Sequence, residues 1–379
     1  MLVVDLSRIL AGPLATMTLA DLGAEVVKVE RPGTGDDTRT WGPPWADDGT
    51  ATYFQSVNRN KRSLALDLKS PDDVELVKRL LRRADVVIDN FMPGVLERAG
   101  LGDAELHALN PRLVIGRISG FGSAGGRLRP GYDFVVQALG GLMHITGEAD
   151  REGMKAGVAL VDVLTAKDLA IGVLAALRRR DETGIGTVVE ANLLSSLQGA
   201  LANQAQAVVG AGREPGRMGN AHPSICPYES LPTAEGELAV AIGNDGQFAK
   251  FVAELGAPEL ADDERFATNP ARVEHRDALR PLLEAALADD TAHGWEARLV
   301  PLGLAVGRVA TISEGIELAA GLGIDPVVDL ERDGVASKGI RHPLRYTPEF
   351  DLPRVGPPPL DADGPALRAE LEAEPPTGA

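Results

Sequence analysis

Five short runs, LVVDL (2–6), EVVKVE (25–30), KRSLALDL (61–68), ADVVIDN (84–90) and RLVIGRIS (112–119), recur along the first third of the chain, with helix-patterned segments among them. Each run is strand length and mostly apolar, as strands are when both faces of a sheet are covered. Between the first two, AGPLATMTLADLG (11–23) has a proline early and a glycine past its last turn, the asymmetry of a helix. After the third, Ser70, Pro71, Asp72 and Asp73 supply an N-cap, a proline at the first helical position and acids in the first turn. This alternation restricts the chain to an α/β fold whose large domain is a Rossmann-like parallel sheet.

At 379 residues the chain is long for one domain. The texture changes at GREPGRMGNAHPSICPY (212–228), after which one strand, ELAVAIG (237–243), is followed mainly by helical segments. The expected division is a large domain over 1–210 completed by 325–379, a linker over 211–225, and a smaller α+β domain over 226–324. The tail from Arg354 is rich in proline, acid and alanine, and its last residues are expected to be mobile.

Composition narrows the function classes. A net charge of −17 argues against nucleic-acid binding, which needs a basic face, although a few local arginines still suffice for a phosphorylated ligand. The single cysteine, Cys226, excludes an intrachain disulfide and suits a reducing cytoplasm. The opening MLVVDLSRIL reads as a strand rather than a leader, and LAIGVLAAL (169–177) is too short to span a membrane. The six histidines lack metal-ligand spacing, so no metal is expected. GFGSAG (120–125) matches G-x-G-x-x-G, but GRLRPGYDF follows where a helix should open. It reads as a flexible glycine loop, and no NAD site is expected.

Several residues are candidates for chemistry. Arg31 and Asn90 follow strands, where open α/β sheets bind ligands. Lys61 and Arg62 begin the third run and Arg98 closes DNFMPGVLER; with Arg31 they form a set able to hold phosphates. Arg178, Arg179 and Arg180 read as a solvated helix end with a glycine beyond. Asp162 stands between Val161 and Val163 in KAGVALVDVLTAKDLAIGVLAAL, where an ionised carboxylate is costly to bury. It is either the N-cap of a helix over 161–180 or a reactive carboxylate, and the two roles are compatible because free N–H groups at a helix start stabilise charge.

Taken in order, DLSRILAGPLATMTLADLGAEVVKVERPGTGDDTR, NRNKRSLALDLKS, ADVVIDNFMPGVLERAG, NPRLVIGRISGFG, GYDFVVQALGGLMHITGE, GVALVDVLTA and GNAHPSICPYESLPTAEGELAVAIGNDGQF resemble the class III CoA-transferases of CaiB/BaiF type. That group includes formyl-CoA and carnitine CoA-transferases and the related α-methylacyl-CoA racemases, and the likeness runs from residue 2 to about 350. It implies a Rossmann-like lobe built from both chain ends, a smaller lobe, an interlocked homodimer, and coenzyme A with acyl-CoA and carboxylic acids as small-molecule partners. By position, Asp162 matches the catalytic aspartate. Arg31, Leu66, Leu68, Lys69, Asn90, Phe91 and Arg98 match positions lining the CoA site, and Tyr132 falls beside the thioester.

The implied chemistry is CoA transfer through an aspartyl anhydride and an aspartyl-CoA thioester, in a site that keeps water from the intermediates. The racemases place a histidine where this chain has Tyr132, and an unperturbed tyrosine, with a pKa of about 10, is a poor proton shuttle at neutrality. Racemisation is therefore the alternative, with His144 nearby in sequence, and a non-catalytic CoA binder is the third. The formyl-CoA branch has glutamine where this chain has Leu10, and its glycine-rich lid is not found here. The expected acid is therefore dicarboxylic or branched rather than oxalate or formate.

Overall fold

The computed structural model describes residues 1–373, in two compact units. The first comprises Met1–Leu142, Ala156–Arg213 and the chain from Gly323 on; the second comprises Met143–Lys155 and Glu214–Leu322. The short Met143–Lys155 excursion has no compositional mark that would separate it from its neighbours. The last six residues of the tail, where mobility is expected, lie outside the described residues.

In the first unit six strands, β1 (Leu2–Asp5), β2 (Glu25–Glu30), β3 (Lys61–Ala65), β4 (Val86–Asp89), β5 (Val114–Ser119) and β6 (Val188–Asn192), pair in the order β3-β2-β1-β4-β5-β6. Every pairing is parallel. The order reverses between β1 and β4, and in such sheets ligands bind beyond the carboxyl ends of the strands at that point.

One face packs Val4, Val27, Leu64 and Val87 against Val77, Leu80 and Leu81 of the Pro71–Arg83 helix and Leu367 and Leu371 of the Gly364–Glu372 helix. The other packs Val3, Val26, Ile88 and Val114 against the Ala11–Asp21 helix and Leu169 and Val173 of the 24-residue Leu160–Thr183 helix. Side chains alternate along each strand, so a run buried on both faces must be apolar throughout. Ser70 caps the Pro71–Arg83 helix as expected.

Within the tail from Arg354, Asp361 and Asp363 accept hydrogen bonds from Ala65 N (2.7 Å) and Ser63 N (2.9 Å) on β3, ahead of the docked Gly364–Glu372 helix. Two local expectations are corrected. Arg180 is buried and donates to the Asp85 carboxylate at 2.9 Å, so of the arginine triplet only Arg178 and Arg179 are exposed; the expected glycine, Gly184, ends the helix at φ 75°. Lys61 is fully buried at the amino end of β3, bonded to Asp5 (3.0 Å), Asn58 (2.8 Å) and the Pro13 carbonyl (2.9 Å). Arg62 pairs with Glu25 and Glu370.

In the second unit β7 (Tyr228–Pro232), β8 (Glu237–Ala241) and β9 (Ala305–Arg308) form an antiparallel sheet. Its core includes Phe248, Phe251, Phe266 and Trp295. The fully buried Arg272 is satisfied by the Cys226 and Phe266 carbonyls and by Asp245. No helix among the described residues is long and apolar enough to cross a membrane.

Candidate active site

The loops after β1, β4 and β5 converge where the strand order reverses. They enclose a pocket lined by Arg8, Asn90, Phe91, Gly120, Tyr132 and Asp162, among others. A roomier concavity of about 1030 Å³ gathers Asp21, Arg59, Arg341 and Arg345, which precede β3 or lie in the chain from Gly323 on. It holds none of the residues just past the carboxyl ends of the parallel strands, so topology rather than size selects the first pocket.

Asp162 lies in the first turn of the Leu160–Thr183 helix, whose N-cap is Ala159, so it is not the cap. That task falls to Asp133, in the first turn of the Asp133–Leu139 helix. Its Oδ2 accepts from Val161 N (2.7 Å) and Asp162 N (3.1 Å), and its Oδ1 from Gln137 Nε2 (2.5 Å). Gln137 is oriented by accepting from Ala156 N at 2.8 Å. The N–H groups expected to stabilise the Asp162 charge are thus engaged by another carboxylate. Burial first, and then the Asp133 charge, push the Asp162 carboxyl up to about 7. Burial likewise pushes Tyr53 up to about 12, with Asp162, Asp133 and Asp36 adding to the effect, so its phenol stays a hydrogen-bond donor.

The loop after β1 is held from both sides. Arg8 N donates to Asn90 Oδ1 (3.0 Å) and Asn90 Nδ2 donates to Arg8 O (2.7 Å). Ile9 has φ 73°, costly for a β-branched residue, and its N–H meets both oxygens of Asp36 at 3.3 Å. Asp36 is itself fixed by Lys28 at 3.0 Å, both side chains buried. Lys28 holds the Asp36 carboxyl below the usual carboxylate range against its burial. A buried ionic cluster of Asp5, Lys28, Asp36 and Lys61 therefore anchors the loop after β1, through Ile9 N and the Ser7 carbonyl.

The glycine loop closes at its neck. A Cβ on Gly120 would lie 2.7 Å from Gly131 Cα, and one on Gly131 would lie 2.5 Å from Gly120 Cα. The glycines of this stretch allow two backbones to meet, and no helix begins before Asp133. Arg129 stacks on Phe121 within the loop (4.5 Å), and Arg127 and Arg129 both line the pocket.

Of the residues singled out in the sequence, Asn90, Phe91, Tyr132 and Asp162 come together. Arg31, Leu66, Leu68, Lys69 and Arg98 do not line this pocket. Arg31 and Lys69 are exposed past the carboxyl ends of β2 and β3, which pair there through Glu30 and Ala65. Leu66 is buried in the core, with Leu68 packed against it, and Arg98 is exposed at the end of the Val95–Arg98 helix. Sequence reasoning missed Arg8, Asp36, Tyr53 and Asp133. The rule that selects Asn90 also selects Arg8, since both follow a carboxyl end. Nothing local marks Asp36, Tyr53 or Asp133.

Comparison with known proteins bears on the family. The model of CoA-transferase family III matches residues 1–364. A succinate–glutarate CoA-transferase of Agrobacterium fabrum is 43% identical, covering 93% of this chain and 92% of the relative. An acetyl-CoA:oxalate CoA-transferase of Acetobacter aceti is 36% identical, over 98% and 95%. The crystal structure of a CAIB/BAIF family protein from Brucella suis superposes with a TM-score of 0.89 at 44% identity, over 98% of both chains. An α/β sheet of reversing order, an aspartate at its crevice and these matches lead to one assignment: the chain belongs to CoA-transferase family III.

Proposed function

We propose that this CoA-transferase moves CoA between two dicarboxylic acids and that Asp162 carries the acyl group. The observation behind this is that Asp162 is the one acid among the pocket's lining residues, beside three arginines. The relatives named for succinate, glutarate and oxalate use acids with two carboxylates. That weighs against the expectation from Leu10, which disfavoured oxalate, and supports the dicarboxylic half of the sequence reading.

An Asp162 oxygen attacks the thioester carbonyl, the C–S bond breaks, and CoA thiolate leaves an acyl-aspartyl anhydride. The thiolate then attacks the aspartyl carbonyl, releasing the first acid and leaving an aspartyl-CoA thioester. The acceptor carboxylate attacks that thioester to form a second anhydride, and the freed thiolate takes up the acceptor's acyl group. A carboxyl raised to about 7 is a more basic nucleophile than a solvated one while still ionising at neutral pH. The capped helix start fixes its approach, and the protonated Tyr53 is a donor in its surroundings.

Arg31, Leu66, Leu68 and Lys69 border the carboxyl edge of β2 and β3, two and three strands from β4 and so about 10–14 Å away. With Asn90, Phe91, Arg98 and Tyr132 they suit an elongated CoA whose phosphates sit by the basic groups and whose thioester reaches Asp162. Leu66 contributes through its backbone, its side chain being in the core. The exposed Ile171 and Leu174 on the long helix favour a homodimer, interlocked as the resemblance implies, and the single cysteine suits the cytoplasm.

The test is exchange of isotope-labelled CoA into succinyl-CoA by wild type and Asp162→Ala. Loss of exchange in the variant with CoA affinity within about twofold supports the proposal. Retained exchange overturns it. Deuterium uptake at C2 of a 2-methylacyl-CoA would point to racemisation, although the pocket's described lining contains no histidine.

A further inference from the structure

The sheet crevice contains a second charged group that the transfer chemistry leaves unused. Arg8 projects from the loop after β1 into the Asp162 pocket. Its backbone is clasped on both sides by Asn90, and the next residue is held in the left-handed region by Asp36. The loop is therefore fixed at a cost in backbone strain, and what it presents to the pocket is a guanidinium. That guanidinium lies over the Phe91 ring at 5.3 Å. Nη1 is 3.6 Å from Asp37, a half-exposed pair beyond hydrogen-bond length, and the buried Nε has no hydrogen-bond partner among the described residues.

Buried polar atoms in folded proteins are nearly always satisfied, by protein groups or by ordered water, and one that faces a pocket is open to a ligand atom that takes that place. A guanidinium offers Nε–H and Nη–H as a fork matching the two oxygens of a carboxylate. Phe91 flattens one side of that fork and the fixed backbone sets its origin. Arg127 and Arg129 also line the pocket, but both belong to the glycine loop and Arg129 is engaged with Phe121. Among these three arginines, Arg8 alone is carried by a backbone tied to the buried ionic cluster.

We propose that Arg8 grips the free carboxylate of a dicarboxylic acyl group while its other end is bound to CoA or to Asp162. This rests on the dicarboxylic reading above and makes Arg8 the residue that separates dicarboxylic from monocarboxylic acyl groups. Gripping the far end turns the reacting carbonyl toward Asp162, so the discrimination is expected in the acylation rate as well as in binding.

The experiment measures single-turnover CoA release from succinyl-CoA and from butyryl-CoA, which has the same four carbons without the second carboxylate. Wild type, Arg8→Gln and Arg8→Lys are compared, with CoA affinity measured separately by calorimetry. Wild type is expected to favour succinyl-CoA. Arg8→Gln is expected to lose about 10- to 100-fold on succinyl-CoA, the size of a charge-assisted bidentate contact, and to stay within about twofold on butyryl-CoA and on CoA affinity. Arg8→Lys, which keeps the charge but not the fork, should fall between the two. A parallel loss on both thioesters, or weaker CoA binding, overturns the assignment by making Arg8 a loop-holding or phosphate-binding group. A wild type without preference for succinyl-CoA refutes the dicarboxylic reading itself, and an intact preference in Arg8→Gln refutes only the role given to Arg8.

Discussion

Replacing Asp133 with asparagine separates the two effects this carboxylate has on Asp162. Asp133 contributes a negative charge and a pair of accepted hydrogen bonds at the helix start. The Asp162 carboxyl rises from 3.8 to about 7, an increase of roughly 3, with burial the larger cause and Asp133 the smaller. Less than half of the rise, about 1.5 pH units or fewer, therefore belongs to Asp133. The variant's acylation midpoint should fall from about 7, by about 1.5 units at most. The asparagine oxygen can still accept from Val161 and Asp162, but its amide then faces Gln137 Nε2, and turning Gln137 over forfeits the bond from Ala156 N. That conflict should cost about 1–2 kcal/mol of stability. The assay is the pH profile of single-turnover CoA release between pH 5 and 9, run beside denaturant unfolding. A folded variant whose midpoint stays near 7 or rises would refute the assignment of Asp133 as the second cause.

Asp162→Asn should be more stable than wild type at pH 8, by about 1–3 kcal/mol, since the folded state holds the proton more tightly than the unfolded chain does. A raised folded value means that the wild-type contribution is fully present below about pH 4 and is lost as pH rises through about 7; the gain should therefore disappear in acid, as thermal unfolding across that range will tell. Asp36→Asn leaves the buried Lys28 without its 3.0 Å anionic partner and weakens the hold on Ile9 N, and should cost about 3 kcal/mol in urea unfolding together with most of the activity. Because the folded Asp36 carboxyl lies below its ordinary value, that cost applies above about pH 4 and should shrink as pH falls through the folded value; a constant penalty would contradict the ion-pair explanation. Gly131→Ala forces the neck of the glycine loop apart against Gly120 and should slow acyl transfer at least about 10-fold with a stability loss of at most about 2 kcal/mol; normal kinetics would mean that the close backbone contact has no bearing on the site.

The sheet was legible because its information is local. Apolar runs such as LVVDL and ADVVIDN report burial on both faces, and Ser70-Pro71 announces a helix start without tertiary help. Asp162 was legible as an anomaly for the same reason, a lone acid in an apolar frame. Of its two readings the cap fails, because a helix start can be satisfied by an acid distant in sequence, here Asp133, 28 and 29 residues before the N–H groups it accepts from. Lys61 and Arg180 were read as solvated or ligand-facing because a cation in sequence does not disclose the carboxylates of Asp5 and Asp85 that permit its burial. The glycines of GFGSAG resemble a dinucleotide fingerprint, yet the reason for glycine at Gly120 lies across the loop at Gly131. Pairings formed by the chain folding back on itself leave no periodicity to detect.

Mass spectrometry of the protein quenched during turnover with succinyl-CoA and hydroxylamine tests the acyl-carrier role most directly. The account expects a hydroxamate on the peptide containing Asp162, formed only when thioester is present and absent from Asp162→Asn. An unmodified Asp162 peptide in a sample that is demonstrably turning over, or an adduct on a different acid, would contradict it.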